Sequence, residues 1–197
     1  MPAKSGERKE QILQVLAGML EEPRAGKITT AALAAKIDVS EAALYRHFAS
    51  KAQMFEGLIE FIEATLFSLI NRLTEEEKSA IRQIEGIVSL LLGFAQKNPG
   101  MTRVLIGDAL INENDRLQIR INQLHDRLEA TLKQALRFAV SEGKIAANLD
   151  ITAQANLLMC YVVGRWHQFA KSGFKRNPME YWDAQRKELL SNIMDAS

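Results

Sequence analysis

The sequence predicts an all-α fold, and three observations carry that reading. Only four prolines interrupt 197 residues. Apolar residues recur at three- and four-residue intervals through most of the chain, the period of an amphipathic helix. No stretch alternates apolar and polar residues for long enough to make a strand. The first helix should run from about Glu7 to Glu22, with Ile12, Leu13, Leu16, Met19 and Leu20 on one face, and Pro23 and Gly26 should end it. Two short helices follow in the segment from Thr29 to Phe48. A fourth should start near Lys51 and is carried to about Leu73 by Met54, Phe55, Leu58, Ile62, Leu66 and Leu69. At 1.5 Å per residue it spans roughly 34 Å, enough to join two domains.

The fifth helix should occupy about Lys78 to Lys97; its second half is apolar all round, which predicts burial in a bundle, and Asn98-Pro99-Gly100 stops it. A short helix from Thr102 to about Leu110 and a long one from Asp115 to Ser141 come next. Leu117, Ile121, Leu124, Leu128 and Leu132 trace one stripe along the long helix, and Glu142-Gly143 ends it. Two final helices, about Thr152 to Lys171 and Pro178 to Met194, are separated by Ser172-Gly173. The first of them is apolar on both sides, which favours pairing with another chain.

Composition excludes several classes of function. With 25 basic and 24 acidic residues the net charge is +1, so any basic surface must be local. The single cysteine, Cys160, lies in an apolar run from Leu157 to Val163 and reads as a small buried thiol of a reducing cytoplasm. The longest apolar stretch, Ile87 to Ala95, is far short of a membrane span, and the charged start lacks a signal-peptide core. A soluble, cytoplasmic protein without membrane contact is expected. His47, His125 and His167 are widely separated and no paired cysteine or acidic loop accompanies them, so neither metal nor cofactor is expected. His125-Asp126 is no catalytic pair, because adjacent helical residues point apart, and no nucleophile turn is present; an enzyme is not expected. Glu75-Glu76-Glu77 reads as acidic residues at or before the start of the fifth helix.

The segment ITTAALAAKIDVSEAALYRHF fits a helix-turn-helix position by position. Thr30 can cap a helix whose Leu33 and Ile37 face inward, while Ala34 is small enough for the next helix to cross closely. Asp38 stands at the turn, where a left-handed backbone is needed and aspartate tolerates it. Val39 plugs the turn, and Ser40 caps a second helix that returns Leu44 and Phe48 to the core. Glu41, Ala42, Ala43, Tyr45, Arg46 and His47 are left over the rest of that helix, the part that would enter a major groove of double-stranded DNA. The alanines permit close approach, and Tyr45 and His47 can donate to phosphates. Thr29 and Lys51 flank the motif near the DNA backbone path, with Lys4, Arg8 and Lys9 as a basic arm.

Two short helices and a turn can also be ordinary pieces of a bundle. The string Ala43-Leu44-Tyr45-Arg46-His47-Phe48-Ala49-Ser50-Lys51, followed by Met54-Phe55, closely resembles the signature that ends the helix-turn-helix of the TetR family. The resemblance implies a three-helix DNA-binding domain over residues 1–50 and a helical regulatory and dimerisation domain over 51–197. Further strings carry it into the nucleoid occlusion branch of that family: Leu58-Ile59-Glu60-Phe61-Ile62-Glu63, Leu90-Leu91-Leu92-Gly93-Phe94, Asn98-Pro99-Gly100 and Arg120-Ile121-Asn122-Gln123-Leu124. What this implies is a nucleoid-associated homodimer on palindromic chromosomal sites that engages the tubulin-like division protein FtsZ and blocks ring assembly over the nucleoid. The positions matching the groove for the FtsZ tail, between the fourth and fifth helices, are Phe61, Leu90, Gly93, Lys97 and Asn98. Leu69 and Asp108 depart from that branch's usual arginine and histidine. Trp166, Phe169, Phe174 and Trp182 could by themselves line a ligand pocket or a dimer interface; the resemblance favours an interface, with Cys160, Val163, Trp166, Phe169, Trp182 and Leu189 at it. The alternative of the same fold is a ligand-responsive repressor with a pocket among the fifth, sixth and seventh helices.

Overall fold

The computed structural model describes residues 5–22, 28–111 and 113–191. Helices fill it: α1 (Ser5–Leu20), α2 (Thr30–Lys36), α3 (Glu41–Tyr45), α4 (Lys51–Glu76), α5 (Ala80–Lys97), α6 (Pro99–Leu105), α7 (Asp115–Ser141), α8 (Ile151–Lys171) and α9 (Trp182–Leu189), with one 3-10 turn at Asp108–Leu110. No strand occurs among the described residues. The expected stops at Pro23 and Gly26, and Lys4 of the expected arm, lie outside them.

Several boundaries differ from expectation, the clearest around α6 and α9, where the reasons are local. The helix expected from Thr102 starts at Pro99, because proline at the first helical position loses no bond it would have made. It breaks at Gly107, whose φ of +77° suits glycine, and continues only as the 3-10 turn. The helix expected from Pro178 begins at Trp182, after Tyr181 in a left-handed conformation with φ of +67°. Arg165 holds this approach in place, donating to the carbonyl oxygens of Asn177 (2.7 Å), Pro178 (3.2 Å) and Glu180 (2.8 Å). Glu75 and Glu76 belong to the end of α4, and Glu77 lies in the turn beyond, accepting from the Ser79 amide at 2.8 Å.

The chain packs as two compact units, residues 1–63 with 98–121 and residues 64–97 with 122–197. The packing division therefore falls within α4 and α7, whereas the expected domain boundary at residue 50 lies just after the helix-turn-helix segment. In the first unit, Ile12 and Leu16 of α1, Leu33 of α2, Leu44 of α3, Phe55, Leu58, Ile59 and Ile62 of α4, and Val104 and Leu105 of α6 are buried. Helix α6 lies hard against α1: a Cβ on Gly100 would stand 2.0 Å from the Ala17 carbonyl oxygen. Arg103 fastens the same contact, donating to the Leu20 carbonyl at 3.3 Å while pairing with Asp108 at 3.0 Å. Asp108, one of the two departures, thus has a structural partner inside this unit.

In the second unit the core joins Ile84, Ile87, Val88, Leu91 and Leu92 of α5 with Leu124, Leu128, Leu132 and Leu136 of α7 and Leu158, Val162, Trp166 and Phe169 of α8. The buried Trp166 indole donates to the Leu91 carbonyl at 3.0 Å, which satisfies its one polar group. Gln83 closes the α4–α5 turn by donating to the carbonyls of Thr74 (3.1 Å) and Glu77 (2.7 Å). Among the described residues no helix is long and apolar enough to cross a membrane, and no cluster of His, Cys, Asp and Glu could hold a metal ion.

Candidate nucleic-acid interface

The motif is assembled by two side-chain caps and one left-handed residue. Thr29, not Thr30, caps α2: its backbone is extended (φ −100°, ψ 152°) and its hydroxyl accepts from the Ala32 amide at 3.1 Å. Thr30 is the first helical residue. Its hydroxyl donates to Glu41 at 2.6 Å and accepts from the Tyr45 hydroxyl at 3.4 Å, so one polar thread ties α2 to α3 on the outer surface. Asp38 takes φ of +54° at the turn. The Val39 amide then reaches back to the Ala34 carbonyl at 3.1 Å.

Ser40 caps α3 as expected, accepting from the Ala43 amide at 3.2 Å. The helix itself is shorter than expected and ends at Tyr45. Arg46 and His47 continue as a turn in which the amides of His47 (3.0 Å) and Phe48 (3.2 Å) both reach the Leu44 carbonyl. Leu44 and Phe48 are buried. Thr29, Ser40, Glu41, Ala42, Tyr45 and Arg46 are exposed, and Thr30, Ala43 and His47 partly so. One surface therefore presents small residues at its centre with hydroxyl, guanidinium and imidazole groups around them, a form that fits a groove.

The flanking cations behave differently from one another. Lys9 of α1 places its ammonium 5.6 Å over the Phe48 ring, beside the motif. Lys51, the first residue of α4, is paired with Glu113 and lies 5.6 Å over the Phe55 ring. Its side chain is 20% exposed and that of Glu113 11%. Sequence reasoning missed this partner, which is 62 residues away.

The positions matched to a second site distribute over both units. In the first, Phe61 is exposed on α4, beside Leu13, Leu58 and Met101 at a small apolar dimple, and Asn98 precedes α6 as its N-cap. In the second, Leu90, Gly93 and Lys97 share a face of α5 by their spacing, with Leu90 and Gly93 partly exposed and Lys97 exposed. Nothing lies within 4 Å of where a Gly93 Cβ would be, so packing does not require the glycine.

For the expected dimer interface the structure brings a correction. Trp166, Phe169 and Trp182 are buried within this single chain, so they are core and offer no surface to a partner. Val163 and Leu189 are partly buried, and Cys160, expected to be buried, is exposed. The exposed residues of α8 include Ala153, Leu157, Cys160 and Gly164, which line up along one stripe. The second unit has an open cleft of about 370 Å³ between α4, α5 and α7, with Asn71, Thr74 and Gln134 on its walls beside Ile87 and Phe138.

The family described as "Bacterial regulatory proteins, tetR family" matches residues 25–58, and the SlmA-like family described as "Tetracyclin repressor-like, C-terminal domain" matches residues 78–194. The nucleoid occlusion factor SlmA of Alteromonas mediterranea is 55% identical over 187 residues, 94% of this chain and 95% of that protein. That of Marinomonas sp. is 50% identical over 194 residues, 98% of each. The chain belongs to the SlmA family of nucleoid occlusion factors. Among solved structures, the fatty acid degradation regulator FadR of Bacillus halodurans superposes with a TM-score of 0.80 at 13% identity, covering 95% of this chain and 97% of that one. The TetR family regulator PfmR of Thermus thermophilus does so with a TM-score of 0.74 at 19% identity, covering 93% and 98%. At such identities the likeness is one of fold, and the fold is that of TetR. SlmA membership fits the helix-turn-helix described above and supplies no enzymatic family.

Proposed function

We propose that the chain acts as a homodimer on palindromic chromosomal sites and, so placed, inhibits FtsZ ring assembly over the nucleoid. The observation that carries this reading is the end-to-end similarity to nucleoid occlusion factors, which extends through both the motif and the helices beyond it. Two chains paired through α8 and α9 would offer one α3 helix to each half-site of a palindrome, whose half-sites lie one DNA turn apart, roughly 34 to 36 Å. The outward α8 stripe of Ala153, Leu157, Cys160 and Gly164 is the surface available for that pairing.

On α5, Leu90 offers an apolar contact, Gly93 a place where a peptide backbone can come close, and Lys97 a cation. Phe61 and Asn98 are assigned to the same partner by resemblance. The unexplained Gly93 favours this use, because glycine inside a helix costs about 1 kcal/mol relative to alanine. The decisive test titrates the DNA-loaded protein with a peptide of the FtsZ C-terminal tail. Binding that is lost on Gly93→Leu while DNA binding persists supports the reading; no binding at tens of micromolar refutes it.

A further inference from the structure

We propose that Glu113 competes internally with DNA phosphate for Lys51, and so sets DNA affinity without touching DNA. The inference rests on the reading that Lys51 faces the DNA backbone. In the structure that lysine is already neutralised: its ammonium is paired with Glu113 and lies over the Phe55 ring, and both members of the pair are largely shielded from water. A phosphate therefore does not meet a free cation. It meets one that must first leave, or share, a carboxylate.

The neighbouring charges make the exchange costly for Glu113. Within the first unit, Arg116 faces Glu56 at 3.8 Å, and Arg120 faces Glu60 at 3.9 Å and Glu63 at 3.5 Å. These arginines serve the α4 carboxylates, so the cation paired with Glu113 is Lys51. Drawn away by phosphate, Lys51 would leave a carboxylate with little access to water, and an unpaired anion in such a position is strongly disfavoured. The carboxylate would also repel the approaching phosphates. Both effects oppose binding, and both disappear when Glu113 loses its charge. By linkage, any event that draws Glu113 from Lys51 raises DNA affinity by the same factor by which DNA promotes that event.

The test is a binding cycle with a fluorescently labelled mixed-sequence duplex at low salt, where phosphate contacts dominate. Wild type, Lys51→Ala, Glu113→Gln and the double variant are compared, with circular dichroism as a check on the fold. Glu113→Gln is expected to tighten binding by about three- to tenfold. That gain should shrink in the Lys51→Ala background, where only the repulsion of phosphate by the carboxylate is left to relieve, whereas a general loss of negative charge would give the same gain in both backgrounds. Should Glu113→Gln fail to fold, Glu113→Asp withdraws the carboxylate by one methylene and should give a smaller gain. Unchanged or weaker binding by a folded Glu113 variant overturns the proposal, as does an equal gain with and without Lys51. If Lys51→Ala does not weaken binding, the phosphate reading of Lys51 falls first, and that result is distinguishable from the others.

Discussion

Two helical glycines in this chain should respond to alanine with opposite signs. At Gly100 the added methyl would stand 2.0 Å from the Ala17 carbonyl oxygen and 3.0 Å from its carbon. Relief requires more than about 1 Å of separation between two helix backbones, since carbon–oxygen contacts do not close much below 3.2 Å outside hydrogen-bonded geometry. Overpacking of a tight interior costs about 1–3 kcal/mol, and a clash of backbone on backbone belongs at the upper end. Alanine returns at most about 1 kcal/mol of helix propensity, which leaves a net loss of about 2 kcal/mol. For a chain of this size each kcal/mol moves the melting temperature by about 2–4 °C, so Gly100→Ala should lower it by about 4–8 °C.

At Gly93, where nothing lies within 4 Å, the same substitution adds propensity without a clash and should raise the melting temperature by about 1–4 °C. The assay is thermal unfolding followed by circular dichroism, at one protein concentration because a dimer's melting point depends on it. A Gly100→Ala protein that melts no lower than wild type, or a Gly93→Ala protein that melts lower, would refute the reasoning.

Leu157 is 47% exposed on the outward stripe of α8, so Leu157→Glu should leave the fold intact, convert the dimer to a monomer in sedimentation analysis, and weaken palindrome binding more than about tenfold. Trp166→Phe should do the reverse, losing the bond to the Leu91 carbonyl and leaving a gap where the fully buried indole was, at a cost of about 2–4 kcal/mol in stability while the dimer persists. The Glu129 carboxyl is held below its ordinary value chiefly by the hydrogen bond from Asn156, against burial, with Lys133 adding to the lowering. A lowered folded value contributes stability above the unfolded value that is lost as pH falls through the folded one. Asn156→Ala should therefore raise the Glu129 value in an NMR titration and destabilise at neutral pH, with the deficit closing in acid; a deficit that persists unchanged in acid would mean the bond acts otherwise.

How much of this was legible in the sequence depends on the range of the interaction responsible. Asp38 and Ser40 act on their own backbone neighbours, so residue type and spacing were enough to place the turn and the second cap. The α7 stripe was equally legible, because one buried face repeats with the helical period. Thr29 and Thr30 are chemically alike and adjacent; only the extended backbone at Thr29 decides which one caps. Periodicity identifies a buried face but not what buries it, which is why Trp166 and Trp182 fitted an interface by sequence and belong to the chain's own core in the structure.

The longest-range case matters most for function. Its place after the motif makes Lys51 a flanking cation, and nothing near it in sequence shows that Glu113 neutralises it. A basic residue beside a recognition helix is thus insufficient grounds for a free phosphate contact: the charge available to DNA is what remains after the protein's own carboxylates are served. In a chain with 25 basic and 24 acidic residues, affinity must depend on how individual charges are paired, since no general excess of positive charge is present to supply it.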